Sequence, residues 1–280
     1  MRRRDGRRVK VTEVDPTYMV ACHVMADRVD AQNMITVHIP IDPMSRYIRE
    51  KQKEGITVSH LGLVIAAYVR TCAEFKKLNY FVVNKNIYFR NELTVGMVVL
   101  KPGDTDGTMN KMHLTFTDTI FDIQRKMEEY IEQNRGEGET NSTDKLVTKL
   151  LGFPGLLRIG VKIFKWMDKH GMLPKKIIDA SPFHCSMSIS NLASIRTNHI
   201  YHHCYNFGTT SMFITMGNLV EVPKRRFDGI EMEKCLPLGI TMDERICSGS
   251  YFAAAFQKMR LYLTNPHLLE GEIDFPLHSK

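Results

Sequence analysis

The hydrophobic positions of the chain switch between the spacing of strands and the spacing of helices. The run Met34–Ile41 is rich in β-branched residues, which predicts a strand. Pro43 is suited to a first helical turn, so a helix is predicted from there to Glu54, with Gly55 as its stop. The segment Thr57–Phe75 repeats apolar residues at helical spacing and is predicted to be a buried helix.

The remaining pattern mixes strands with helices. A helix is predicted to begin at Thr119, where Asp122 completes an acidic variant of the capping box, and another covers Ser250–Leu263. The further predicted strands are Tyr80–Val83, Ile87–Arg90, Leu93–Lys101, Phe183–Ser190, Thr210–Met216, Leu219–Val222 and Leu236–Met242. This mixture predicts an α/β (or α+β) fold with helices around a mixed sheet.

Residues 143–170 form an apolar and basic helical region. Its apolar residues include Ile159, Ile163 and Trp166, and its cations include Arg158 and Lys162. This pattern fits a helix that lies on a membrane surface. Core packing or a subunit interface, with a solvated cationic face, is the interpretation that we favour.

Composition bounds the class of protein. The chain has 280 residues, of which 43% are hydrophobic and 25% charged, as expected of a globular protein with a large core. We predict one domain over residues 16–270, with a basic arm at 1–15 and a tail at 271–280. No apolar run is long enough for a membrane span or a secretory signal. The six cysteines have no paired spacing, so we expect reduced thiols, no cysteine zinc site and a cytoplasmic protein.

The net charge of +7 has two sources. A cluster at the N-terminus comprises Arg2, Arg3, Arg4, Arg7 and Arg8. Such a cluster can bind nucleic acid or an anionic membrane surface. No aromatic residues lie between these arginines to stack on bases, and a solvated arm is the interpretation that we favour. The other cations would suit a polyanionic ligand.

Three stretches, in order, resemble one family of enzymes. They are Gly55–Val58 leading to Leu78-Asn79, then Ser188–Ser194 followed by Phe213–Gly217, then Leu238–Gly249 followed by Asn265–Leu269. Together they resemble the catalytic domain of the acyltransferase component of 2-oxo acid dehydrogenase complexes, whose fold chloramphenicol acetyltransferase shares. The resemblance implies a homotrimer or a larger assembly of trimers, active sites between subunits, and coenzyme A or an acyl-CoA thioester as ligand, without a metal.

The resemblance also implies roles for individual residues. Glu244 stands where the family has a general-base histidine, and Ser248 stands where it has an aspartate that forms a salt bridge with an arginine. Ser194 is expected to stabilise the oxyanion, with Ser190 as the alternative. Arg28 is matched with the salt-bridge arginine, which Ser248 would leave without a charge partner.

The two substitutions change the expected chemistry. A glutamate is in general a weaker base than a histidine by about two pKa units, so removing a thiol proton becomes about 3 kcal/mol less favourable. We therefore expect weak or absent standard acyl transfer. The alternative is a non-catalytic trimeric scaffold or a regulator that binds coenzyme A.

Two other groups near these motifs are weighed as replacements. The cluster of His199, His202 and His203 with Cys204 invites a zinc site or a relocated base, but the segment looks extended, so a structural role is favoured. Cys247 is expected to be a small buried residue rather than an acyl acceptor.

Overall fold

The computed structural model describes residues 3–100, 107–135 and 154–271. Its main feature is a seven-stranded mixed sheet with the order β2-β10-β8-β7-β5-β6, in which β9 pairs with the first half of β10. A smaller antiparallel sheet has the order β1-β4-β3. The strands are β1 (Gly6–Arg8), β2 (Gln32–Pro40), β3 (Tyr80–Val83), β4 (Asn86–Arg90), β5 (Leu93–Leu100), β6 (Gly107–Leu114), β7 (Met187–Asn191), β8 (Met212–Met216), β9 (Val220–Arg226) and β10 (Gly229–Asp243).

The described helices are α1 (Pro16–Val24), α2 (Ile41–Lys53), α3 (His60–Glu74), α4 (Ile120–Arg135), α5 (Pro154–Lys169), α6 (Lys175–Ala180) and α7 (Gly249–Thr264). Of these, α2, α4 and α7 pack against the main sheet, and α1 contacts β4 of the smaller sheet. The helix α3 lies at the centre and contacts α2, α4 and α7. Its residues from Gly62 to Cys72 are all buried, and Ser59 caps its start by accepting a hydrogen bond from the backbone of Gly62. The expected α/β architecture around a mixed sheet is confirmed.

Most predicted elements are present, with shifted ends. The capping box at Thr119 and Asp122 forms as expected. The strand β10 is longer than predicted because its first half forms an exposed hairpin with β9, in which the apolar residues Ile230 and Met232 alternate with glutamates but are not buried. The strands β1 and β6 and the helices α1 and α6 were not predicted. The tail expected at residues 271–280 and the first part of the helical region expected at 143–170 lie outside the described residues, apart from residue 271.

The N-terminal arginines do not all face solvent. Arg4, Arg7 and Arg8 are exposed, but Arg3 is only 5% exposed, so the expectation of a solvated arm is wrong for it. The strand β1 pairs with β4 at the edge of the smaller sheet, so Arg3 lies just before an ordered strand. Arg3 then lies over the ring of Phe81, which favours burial of its guanidinium.

A buried ionic cluster joins this N-terminal stretch to the end of α5. The guanidinium of Arg3 contacts Asp5 at 2.9 Å and Asp168 at 2.6 Å. The Nδ1 atom of His184 lies 2.8 Å from the hydroxyl of Ser181, and its Nε2 atom lies 3.3 Å from Asp168. Burial lowers the pKa of His184. Although burial opposes it, the hydrogen bond from His184 and the charge of Arg3 lower the pKa of Asp168.

The outer side of α5 remains uncovered. Ile159, Ile163 and Trp166 are about half exposed, so the favoured interpretation of core packing is wrong for these three residues. Phe164 and Met167 are half-buried and turn toward the body of the protein. Among the described residues, no helix is long and apolar enough to cross a membrane.

Candidate functional site

The end of β10 carries a buried charge cluster. The carboxylate of Asp243 is fully buried, and Arg245 holds both of its oxygens, with Nε at 2.8 Å and Nη2 at 2.7 Å. Such paired hydrogen bonds fix the geometry of a carboxylate as well as neutralising it. Although burial opposes it, the hydrogen bonds and charge of Asp243 raise the pKa of Arg245.

Arg28 belongs to the same cluster. Its Nε atom lies 3.4 Å from Oδ2 of Asp243, and its other nitrogens donate to the backbone carbonyls of Val82, at 3.0 Å, and Tyr205. The expectation that Arg28 lacks a charge partner is therefore wrong. The partner is Asp243, at the start of the motif, rather than the residue at position 248.

Glu244 follows this cluster and is held at the sheet edge. Its backbone N–H donates to the carbonyl of Ala31 at 2.9 Å, and Nδ2 of Asn33 donates to its Oε2 atom at 2.5 Å. The side chain is half-buried, so one side of the carboxylate remains open to solvent. The carboxylate of Glu244 is thus held in one orientation by a backbone that is itself hydrogen-bonded. A proton acceptor needs such a fixed orientation.

Ser248 has a structural role in this chain. It is the N-cap of α7, where its hydroxyl accepts a hydrogen bond from the backbone of Tyr251 at 3.2 Å. The same hydroxyl lies 2.9 Å from that of Ser250. Ser248 makes no described contact with Arg28, so it does not fill the salt-bridge role of the family's aspartate.

Ser194 lies at the other end of the sheet. The strands β7 and β8 are parallel and β10 runs against β8, so Asn191 and Met216 lie beside Leu238. From Leu238 to Asp243 the strand covers roughly 17 Å at about 3.3 Å per residue. Ser194 follows the end of β7, so within one chain it is remote from Glu244.

The hydroxyl of Ser194 is already engaged. It is exposed and donates to the carbonyl of Asn191 at 2.6 Å, within its own turn. Ser190, the alternative, is half-buried near the end of β7. Neither serine is brought near Glu244 in a single chain.

The histidine segment crosses the sheet without helical structure, as expected. His199 contacts the hydroxyl of Thr36 at 2.9 Å, and burial lowers its pKa. The ring of His202 stacks on Phe213 with 4.0 Å between centroids. Gly239 permits this close crossing, because a Cβ there would lie 2.5 Å from the carbonyl oxygen of Ile200. Nothing in this arrangement brings His199 or His202 to the carboxylate of Glu244.

The metal and thiol alternatives receive no support from this geometry. Within residues 3–100, 107–135 and 154–271, no three His, Cys, Asp or Glu side chains converge in a way that could hold a metal ion. Cys247 is buried in the core, and burial raises its pKa. A buried neutral thiol is a poor nucleophile, which fits the expected packing role.

A cavity of about 430 Å³ opens beside the charge cluster. Lys85, Lys165 and Lys169 line it and have no described ion pair, whereas Arg28 and Arg245 in its wall share the single carboxylate of Asp243. Asp168, also in the wall, is already paired with Arg3. Asp27 adds one carboxylate without a described ion pair, so the lining still has an excess of cationic groups and suits an anionic ligand.

Two site residues were missed by sequence reasoning. Asp243 was known from its motif but was not recognised as the partner of Arg28, because a long-range ion pair leaves no local pattern. Asn33 was also missed. Its signal was a polar side chain just before the apolar run at Met34, at the edge of a predicted strand.

The comparisons with known proteins bear on the fold. No family model matches the chain, and no curated protein matches it. A probable dihydrolipoamide acetyltransferase from Listeria monocytogenes 4b F2365 matches with 13% identity and a TM-score of 0.58, over 96% of this chain and 97% of that one. The dihydrolipoamide acetyltransferase of Azotobacter vinelandii matches with 12% identity and a TM-score of 0.58, over 91% and 88%. A chloramphenicol acetyltransferase matches with 9% identity and a TM-score of 0.56, over 92% and 99%. The chain therefore has the chloramphenicol acetyltransferase-like fold.

Proposed function

We propose that this chain is a coenzyme-A-dependent acyltransferase-type protein with an altered catalytic motif, in which standard acyl transfer is weak or absent. The observation that carries the proposal is the position of Glu244. Its carboxylate is oriented by Asn33 and partly open to solvent, on a frame formed by the buried pair of Asp243 and Arg245. In the resembling family a histidine at this position is the general base.

The chemistry expected of Glu244 is limited. Its carboxylate can accept a proton from an attacking thiol or hydroxyl, but it then becomes neutral rather than cationic. It consequently lacks the charge that would stabilise a developing oxyanion. Ser194 would have to give up its bond to Asn191 to serve as the oxyanion donor. Both features favour slow turnover.

A site that uses both Glu244 and Ser194 has to lie between two subunits. The two residues are at opposite ends of the sheet, about 17 Å apart along β10. A trimer in which the end of β10 in one copy meets the end of β7 in the next would bring them together. One matched structure is the cubic core of a pyruvate dehydrogenase multienzyme complex, which supports a symmetric assembly here.

Coenzyme A or its acyl thioester is the proposed ligand. The lining of the cavity fits a phosphate-bearing molecule, because Lys85, Lys165 and Lys169 have no described carboxylate partner. These three lysines would hold its phosphates. The assignment of a cytoplasmic location rests on the cysteine pattern and stays a prediction.

A second candidate function has its own support. Ser248 places no carboxylate at the family's salt-bridge position, and its hydroxyl is used to cap α7. Ser194 is likewise engaged within its own turn. Both observations favour a trimeric scaffold or a regulator that binds coenzyme A without turnover.

A thiol-release assay separates the two candidates. Acetyl-CoA would be offered with a panel of thiol, hydroxyl and amine acceptors to the wild type, Glu244→Gln and Glu244→His. The matched control is Glu132→Gln, an exposed glutamate on α4 without a described ion pair. We expect low release by the wild type, none by Glu244→Gln, no change in Glu132→Gln, and a gain in Glu244→His.

The other outcomes decide between the candidates. Binding of acetyl-CoA without release by any variant would favour the scaffold or regulator. Absence of both binding and release would overturn the proposal as a whole. Sedimentation equilibrium tests the assembly, and a monomer at micromolar concentration would contradict a site between subunits.

A further inference from the structure

The helix α5 presents two adjacent stripes to solvent. Successive residues of a helix are about 100° apart, so residues three and four apart share a face. One stripe contains Ile159, Ile163 and Trp166, which are 57%, 49% and 52% exposed. The neighbouring stripe is cationic and comprises Arg158, Lys162, Lys165 and Lys169, all of them exposed. We define these two stripes together as the outer face of α5.

The charge of this outer face is not balanced locally. From Arg158 to Lys169 the helix has one acidic residue, Asp168, which points inward to Arg3 and His184. Among the described residues, no carboxylate forms an ion pair with any of the four cations on this face. The inward salt bridge of Asp168 therefore fixes the rotation of the helix that turns the cations outward.

The aromatic residue lies at the boundary between the stripes. Trp166 is half exposed, and its ring is 4.6 Å from that of His170, with the planes tilted by 32°. Tryptophan favours the interface between water and lipid, because its ring is apolar and its N–H can still reach a polar partner. An apolar stripe bordered by lysines and a tryptophan is the pattern of a helix lying in a membrane interface.

We propose that the outer face of α5 docks on the surface of an anionic lipid bilayer, with its apolar stripe in the headgroup region. Arg158 and Lys162 would contact lipid phosphates, since Lys165 and Lys169 line the cavity. Charge complementarity selects this partner. A nucleic acid would leave the apolar stripe exposed to water. A second copy of this chain in a two-fold contact would bring the same uncompensated cations together, and a contact with a different surface of the copy would need carboxylates opposite this face. The proposal does not depend on the acyltransferase assignment.

The chain carries its own probe for this proposal. Trp166 is its single tryptophan, so the intrinsic tryptophan fluorescence reports on this face alone. The full-length protein would be titrated with vesicles of phosphatidylcholine containing one part in three of phosphatidylglycerol, and with vesicles of phosphatidylcholine alone. We expect a blue shift and cosedimentation with the anionic vesicles only, both weakened at about 0.5 M salt, where charges are screened beyond about 4 Å.

Two variants test the two stripes separately. Arg158→Glu combined with Lys162→Glu reverses two cations that do not line the cavity, so acetyl-CoA binding should be unchanged. A cation near an anionic bilayer strengthens binding about fivefold, so this variant should bind at least about 25-fold more weakly. Ile163→Ser keeps the tryptophan and removes apolar contact, which should weaken binding about tenfold.

The matched control has the same change in net charge. Lys53→Glu combined with Lys234→Glu reverses two exposed lysines that have no described ion pair and lie outside α5. We expect it to bind within about threefold of the wild type. Equal weakening in control and test variants would mean that only net charge matters, and would overturn the proposal. So would equal binding to neutral vesicles, or a blue shift that follows protein concentration without lipid, since that outcome assigns the face to contact between copies.

Discussion

The two ends of the central sheet are built differently. At the end of β10, Asp243 is fully buried and is held by Arg245 and Arg28, so the motif rests on charges that have no access to water. At the end of β7, Ser194 lies in an exposed turn of a few residues and bonds only within that turn. One end is a rigid frame and the other is a surface turn.

The two ends also differ in whether they are complete within one subunit. The frame at Asp243 is complete within one chain, because its carboxylate and both guanidiniums come from the same protomer. The turn at Ser194 gains a chemical role only if another surface is brought against it. This contrast predicts that substitutions in the frame lower the free energy of unfolding the most. Substitutions near the turn should lower it less, because they shift only the neighbouring segment.

The largest effect is expected for Arg28→Ala. This change leaves the buried Asp243 with one cation instead of two and removes the donors to the carbonyls of Val82 and Tyr205. Breaking a buried ionic network in this way costs about 3–5 kcal/mol in the free energy of unfolding. Urea denaturation followed by circular dichroism would measure the loss.

Arg49→Ala is the control for that change. Arg49 lies on α2, is exposed and has no described ion pair, so its removal should change the free energy of unfolding by less than about 0.5 kcal/mol. If Arg28→Ala proves no more costly than Arg49→Ala, the Arg28–Asp243 pair does not stabilise the fold and the contrast between the two ends fails.

The same contrast explains which features could be predicted from the sequence. Apolar periodicity located the buried α3 and the strands of the main sheet other than β6, since each carries a repeating pattern within a few residues. It failed at the first half of β10, where Ile230 and Met232 alternate with glutamates but remain exposed, so the strand has no buried face. The pairing between Arg28 and Asp243 could not be predicted, because it joins residues more than 200 positions apart. The burial of Arg3 could not be predicted either, since it depends on a contact with the distant Asp168.

A smaller loss is expected for Gly239→Ala, at the opposite end of the sheet. A Cβ at this position would lie 2.5 Å from the carbonyl oxygen of Ile200 and 2.7 Å from the hydroxyl of Thr215. Because the nearest atom is backbone, the segment carrying His199 has to move, at a cost of about 1–3 kcal/mol. Thermal unfolding would measure this cost.

Gly249→Ala provides the comparison, since a Cβ there meets nothing within 4 Å. That substitution should be neutral or slightly stabilising. A loss in Gly239→Ala no larger than in Gly249→Ala would mean that the histidine segment does not lie against β10 as described.

The smallest effect concerns Ser248, which joins the frame to α7. Ser248→Ala removes the side chain that caps the helix and should lower the free energy of unfolding by about 1 kcal/mol, measured by urea denaturation. Ser248→Asp restores the residue type that the resembling family has at this position. Serine and aspartate cap helices about equally well, so this variant should match the wild type in stability. Ser250→Ala removes the hydroxyl that contacts Ser248 but keeps the bond from Tyr251 to Ser248, so as a control it should lie within about 0.5 kcal/mol of the wild type.

This last comparison separates stability from function at the altered position. If Ser248→Asp is as stable as the wild type, helix capping cannot explain why serine stands there, and the cause has to lie in the site itself. The thiol-release assay on Ser248→Asp combined with Glu244→His then tests that cause directly. A gain in turnover over Glu244→His alone would mean that the fold still supports the family's chemistry. Equal turnover would mean that Asp243, already paired with Arg28, fulfils the salt-bridge role without a second carboxylate.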